Sequence, residues 1–148
     1  MKLSLFKKNT PANPSGTITL EGLLTEIRDG AHRNPVERVR QAVTDGKPKD
    51  VINDLKRELQ SITISGEITG GGRSNAMNEN RFIHSGLIQI DIDGATNPEA
   101  VRDMLANDPH IVCAFLSPTA RGVKAVAMVE TCATVEDHQS AFLTAERY

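Results

Sequence analysis

Tryptophan is absent from the chain, tyrosine occurs once, and aromatic residues make up 3% of its 148 positions. An aromatic platform on which single-stranded bases could stack is therefore not expected. Cysteine is nearly as scarce. Cys113 and Cys132 have no second pair and no C-x-x-C spacing, so they read as two reduced, packed thiols of an intracellular protein, and neither a disulfide framework nor a zinc site is expected. No apolar run approaches the roughly 20 residues of a membrane span, and the opening MKLSLFKKNT is too short in apolar residues for a secretory signal. The expected address is the cytoplasm, with no membrane partner. A formal net charge of −2 gives no global basic field that would draw in nucleic acid. What is present is an ordinary mix of apolar and charged residues in a length suited to one compact domain.

Pro11, Pro14 and Gly16 mark residues 1–16 as an irregular arm, followed by a short extended piece at Thr17 to Thr19. Leu20, Leu23, Leu24 and Ile27 then recur at helical spacing up to Gly30. A second helix is expected from Asn34-Pro35, with Glu37 completing a capping box, and a third from Pro48 through Leu59. Residues 17–60 thus read as a helical segment. From residue 61 the apolar period falls to two: Ile62, Ile64 and Ile68 predict one half-buried strand interrupted at Gly66. GGGRSNAMNENR reads as a glycine-led loop holding Arg73 and Arg81. After it come a strand at Leu87 to Asp91, a helix capped by Asn97 with Val101, Met104 and Leu105 inward, and an antiparallel hairpin of IVCAFL and VKAVAMV around SPTARG. A last helix opens after Thr134 and is still running at Tyr148, which suggests that the core at 61–148 is truncated at its C-terminus. The expected fold class is α+β: a mainly antiparallel sheet with helices packed on it, preceded by an N-terminal helical segment.

The segment GLIQIDIDGA raises the functional question. Side chains alternate along a strand, so Asp91 and Asp93 share one face, about 7 Å apart, with Ile92 on the other. Two such carboxylates form a cation clamp, or else Asp93-Gly94 merely begins a surface turn. A calcium loop of the EF-hand type starting at Asp91 fails, because Ala95, Thr96 and Arg102 stand where its ligands and glycine belong. A haloacid-dehalogenase-like phosphatase shares the D-x-D-G opening, but no later acidic pair completes its magnesium site. Nucleotidyl transfer needs carboxylates that hold Mg or Mn and a basic, glycine-containing turn that receives phosphates. SPTARGVK supplies Ser117, Arg121, Gly122 and Lys124 for the second requirement. Taken alone, that segment reads first as an ordinary polar hairpin turn. His84 reads as packing or capping rather than ligating, and His138 as isolated.

In order, ITISGEI, GGGR, HSGLIQIDID and SPTARGVK resemble the VirE N-terminal, primase-like domain of phage and mobile-element (prophage) replication proteins, itself similar to the archaeo-eukaryotic primase-polymerase superfamily. The resemblance spans about residues 56–143. It implies an RRM-like core in a DNA replication protein. It also implies a nucleotidyltransferase site with Asp91 and Asp93 as catalytic metal ligands for Mg or Mn, and Ser117, Arg121, Gly122 and Lys124, with Arg73 from the preceding loop, as nucleotide-binding residues. The implied partners are a nucleoside triphosphate, a DNA template and a helicase-type ATPase domain that follows this segment. Ala120 stands where that family usually has glycine, and the third carboxylate of such enzymes has no clear counterpart after Lys124. A non-catalytic nucleotide or nucleic-acid binding module is the alternative, and the phosphatase a second one.

Overall fold

The computed structural model describes residues 1–8, 13–74, 76, 79–130 and 132–147. Pro11 of the expected arm and Tyr148 of the expected last helix lie outside them. The described chain runs β1 (Leu3–Phe6), β2 (Gly16–Ile18), α1 (Leu20–Arg28), α2 (Arg33–Thr44), α3 (Lys49–Arg57), β3 (Ser61–Thr63), β4 (Gly66–Ile68), β5 (Phe82–His84), β6 (Leu87–Asp93), α4 (Pro98–Ala106), β7 (Ile111–Leu116), β8 (Gly122–Met128) and α5 (Val135–Arg147). The class is α+β and the pairing antiparallel, as expected. The strands gather into three small sheets, ordered β2-β1-β3, β4-β5 and β6-β8-β7, rather than one. No described helix is long and apolar enough to cross a membrane.

The arm is the first correction. Leu3 to Phe6 form the middle strand of the first sheet, between β2 and β3, with Leu3 and Ser4 fully buried and Phe6 nearly so. LSLF places apolar side chains on both faces, and both are used. Leu3 joins Leu23, Ile64, Leu87 and Val126 in one cluster, and Phe6 joins Ile68, Ala76 and Phe82 in another. The first cluster draws on β1, α1, β6 and β8, so residues from 1–16, 17–60 and 61–148 share a core. Each such side chain contributes about 1.5–3 kcal/mol by leaving water. The expected strand through Ile62, Ile64 and Ile68 divides at Ile64-Ser65, where the chain changes sheets. β3 pairs with β1, and β4 pairs with β5. The Ser4 hydroxyl bridges the two sheets by accepting the Ile68 backbone N–H at 2.7 Å.

The helices follow their end signals except for α2. Thr19 caps α1 through its hydroxyl, which accepts the Gly22 N–H at 3.0 Å, and Asn97 caps α4 by accepting that of Ala100. The capping box expected at Asn34 to Glu37 does not form. The α2 helix opens one residue earlier, His32 makes no side-chain cap, and its ring bonds instead to Glu26 at 3.0 Å. Met104, expected inward, is 66% exposed.

The last sheet positions the candidate site. β6 and β7 each run antiparallel to β8, which lies between them, so β6 and β7 are parallel to one another and α4 makes the crossover, a split βαβ unit. The hairpin of β7 and β8 is the expected one, closed by residues 117–121.

Candidate functional site on the last sheet

Alternation along β6 places Leu87, Gln89, Asp91 and Asp93 on one face and Ile88, Ile90 and Ile92 on the other. The isoleucine face is covered, with Ile88, Val123, Ala125 and Ala127 buried. The acidic face starts in the core at Leu87 and becomes exposed at Asp91 and Asp93. The β6–β8 register sets Asp91 directly opposite Lys124 and Asp93 opposite Gly122, with Phe115 of β7 on the far side of Lys124.

Asp91 is therefore not one half of a bare clamp. Lys124 Nζ donates to Asp91 Oδ1 at 2.5 Å and Gln89 Nε2 donates to the same oxygen at 3.0 Å. An ion pair this open to solvent is worth about 0–1 kcal/mol, so Lys124 is a detachable partner. Asp93 is exposed and has no side-chain partner among the described residues.

The turn beside it is built by its own backbone. Ser117 N–H donates to Gly122 O at 2.9 Å, and Ala120 N–H donates to Ser117 O at 2.9 Å. Ser117 is buried, and its hydroxyl lies 3.1 Å from that of Thr119. Arg121 projects into solvent. Ala120 sits in the left-handed region at φ +55, where an L side chain costs roughly 1–2 kcal/mol. Ala120→Gly relieves that strain but loosens the unfolded chain, so a net stabilisation of about 0.5–1 kcal/mol is expected, measured as a higher urea midpoint at unchanged slope. Gly122 has a different constraint, since a Cβ there would stand 2.4 Å from Ile92 O.

Arg73 does not join this cluster. Its guanidinium lies over the Phe6 ring, 4.0 Å from the centroid, donates to Ser61 Oγ at 2.8 Å, and has Nε buried without a partner. Burial pushes its pKa down, and its role is packing against the first sheet. Arg81 pairs with Glu79.

A second cluster escaped the sequence reading. His84 at the end of β5, Cys132 after β8 and His138 in the first turn of α5 bring their ligand-capable atoms within 4.8 Å of one another. Gly86 N–H donates to His84 Nδ1 at 3.0 Å, so Nε2 carries the ring proton and donates to His138 Nδ1 at 3.1 Å. Burial, and then His138, pull the His84 pKa down; burial, with the Asp137 and Glu130 carboxylates, pushes the Cys132 thiol up. Thr134 and Asp137 close the N-terminus of α5 reciprocally, the hydroxyl accepting the Asp137 N–H and the carboxylate accepting those of Thr134 and Ala133. These contacts hold the Asp137 carboxyl below the usual range. His84 and His138 are 54 positions apart, and no local spacing signals their meeting.

Residues 54–148 match the family described as BT4734-like, N-terminal domain. This match replaces the VirE N-terminal, primase-like family named from the sequence, and that assignment is withdrawn. No curated protein and no solved structure matches the chain.

Proposed function

Because the chain belongs to the BT4734-like N-terminal domain family, whose description names no activity, we propose its function from the last sheet: metal-assisted binding of a nucleoside triphosphate. The observation that carries this reading is the register, which sets two carboxylates of one strand face against Lys124 and Gly122, with Arg121 free beside them. Asp91 and Asp93 would hold a hard divalent ion, Mg or Mn, through their carboxylate oxygens, and the ion would supply positive charge to a phosphate there. Lys124, displaced from Asp91, then meets a phosphate as a point charge, and Arg121 meets one as a fork. The Ser117 hydroxyl and the Gly122 backbone border the same turn.

Nucleotidyl transfer to a DNA strand is the extension of this reading, and its chemistry requires a metal bridging triphosphate and attacking hydroxyl. Among the later acids Asp137 is committed to the α5 cap, which favours binding without catalysis for these residues alone. The helicase-type partner rested on the withdrawn resemblance and is not carried forward. A phosphatase is less well supported, since no later acidic pair completes its magnesium site.

Calorimetry with dATP, with and without Mn, tests this proposal. The parent chain is expected to bind dATP better with Mn. Lys124→Ala should weaken that binding by about 1.5–3 kcal/mol, the range for hydrogen bonds to charged groups. The same variant frees Asp91, so Mn alone should bind it more tightly than it binds the parent. Asp91→Asn with Asp93→Asn should remove the Mn effect. Equal affinities in every combination would refute the site.

A further inference from the structure

We propose that His84, Cys132 and His138 form a binding site for a transition-metal ion of the Zn2+ type, separate from the acidic face of β6, that clips α5 to β5. The inference is independent of the nucleotide reading. Its first support is distance. Tetrahedral zinc with N ligands at about 2.0–2.1 Å and S at about 2.3 Å separates its ligand atoms by about 3.3–3.6 Å. The two histidine nitrogens already stand 3.1 Å apart, and the widest separation in the set is 4.8 Å. The remaining difference, about 1 Å, falls on Cys132 and His138, which stand on a loop and on the first turn of a helix.

Ligand chemistry is the second support. Two imidazoles and a thiolate select zinc, cobalt or copper over magnesium or calcium, so this site and a carboxylate pair would not compete for the same ion. The third support is what α5 lacks. It buries none of its residues, and Phe142 and Leu143 stay about half exposed. An ion held at its first turn would supply the attachment that apolar packing does not, since metal binding to a folded site adds directly to folding stability. An open groove lined by His138, Gln139, Phe142 and Leu143 lies beside the cluster at His138.

The proton balance is defined. His138 Nδ1 already presents a lone pair. Cys132 loses its thiol proton to solvent. His84 moves its proton from Nε2 to Nδ1, which ends the hydrogen bond from Gly86 N–H. Loading therefore releases one proton and exchanges three hydrogen bonds, from Gly86 N–H to His84, from His84 to His138 and from the Cys132 thiol to Glu130 O, for three coordinate bonds.

Titration of the metal-free chain with Co2+ tests the assignment. One equivalent is expected to give a thiolate-to-cobalt charge-transfer band and tetrahedral ligand-field bands, both bleached by Zn2+. Cys132→Ser should remove the charge-transfer band, and His84→Gln or His138→Gln should weaken binding by about tenfold or more. Cys113→Ser and the Asp91→Asn, Asp93→Asn pair should leave the spectrum unchanged. On the unaltered chain, Zn2+ should slow alkylation of Cys132 and not of Cys113, a readout that does not depend on any variant folding. No charge-transfer band at one equivalent, a band that survives Cys132→Ser, or alkylation of Cys132 at equal rates with and without Zn2+ would each overturn the proposal.

Discussion

Replacing Phe6 with alanine is expected to lower the unfolding free energy by about 3–5 kcal/mol, the range for a buried aromatic truncated in a packed core. Phe6 is 1% exposed and packs with Ile68, Ala76 and Phe82. Its ring also carries the Arg73 guanidinium at 4.0 Å, whose Nε is buried without a partner. Truncation therefore opens a cavity and removes the face against which a partly desolvated cation rests. Phe6→Leu, which keeps most of the volume but not the π face, should cost clearly less. Urea unfolding gives both values. A loss within about 0.5 kcal/mol for Phe6→Ala, as at an ordinary surface position, would mean that the N-terminal strand is not packed as described.

The second large effect is expected at Gly122. Its added Cβ would lie 2.4 Å from Ile92 O, a backbone atom of the neighbouring strand. Because β8 is the central strand of its sheet, it cannot move away from β6 without disturbing its ladder with β7 as well. Gly122→Ala should cost about 2–3 kcal/mol, in line with over-packing where neighbours cannot yield. It should also shift Asp93 away from the hairpin turn and so weaken Mn-dependent dATP binding beyond what reduced stability explains. Gly16→Ala is the control, because nothing lies within 4 Å of its added Cβ. Equal urea midpoints for the two variants would contradict the β6–β8 register.

Five helices and the last three strands were readable in the sequence because their signals are local. Thr19 and Asn97 cap the helices they precede, and IVCAFL and VKAVAMV are joined by a short turn that leaves little choice of partner. Most misses were non-local. LSLF is too short to declare itself, and its status as a central strand depends on β2 and β3, the latter nearly sixty positions away. Ile62, Ile64 and Ile68 keep a period of two across a change of sheet, so alternation alone could not divide them. One miss was local: Asn34-Pro35 carried the letters of a helix start, yet α2 opens at Arg33 and His32 before it makes no side-chain cap. At the site, the shared face of Asp91 and Asp93 follows from alternation alone. The pairing of Asp91 with Lys124 depends on the exact alignment of two strands that are not consecutive in the chain. Arg73 was assigned to phosphate from its place in a glycine-rich loop, and the aromatic ring that occupies it belongs to the strand that was overlooked.

The pairing of β1 with β3 has a consequence for how the chain is made. Translation proceeds from the N-terminus at roughly 5–20 residues per second, so Leu3 to Phe6 leave the ribosome on the order of seconds before Ser61 to Thr63, their partners on one side. During that interval β2 is, among the described residues, the one strand partner available to β1, and a two-stranded ribbon is marginal in water. The nascent segment presents Leu3, Leu5 and Phe6 to whatever it meets, and slow codons between positions 20 and 60 would prolong that exposure. Recoding that stretch for faster elongation should raise the soluble yield of an unchanged polypeptide.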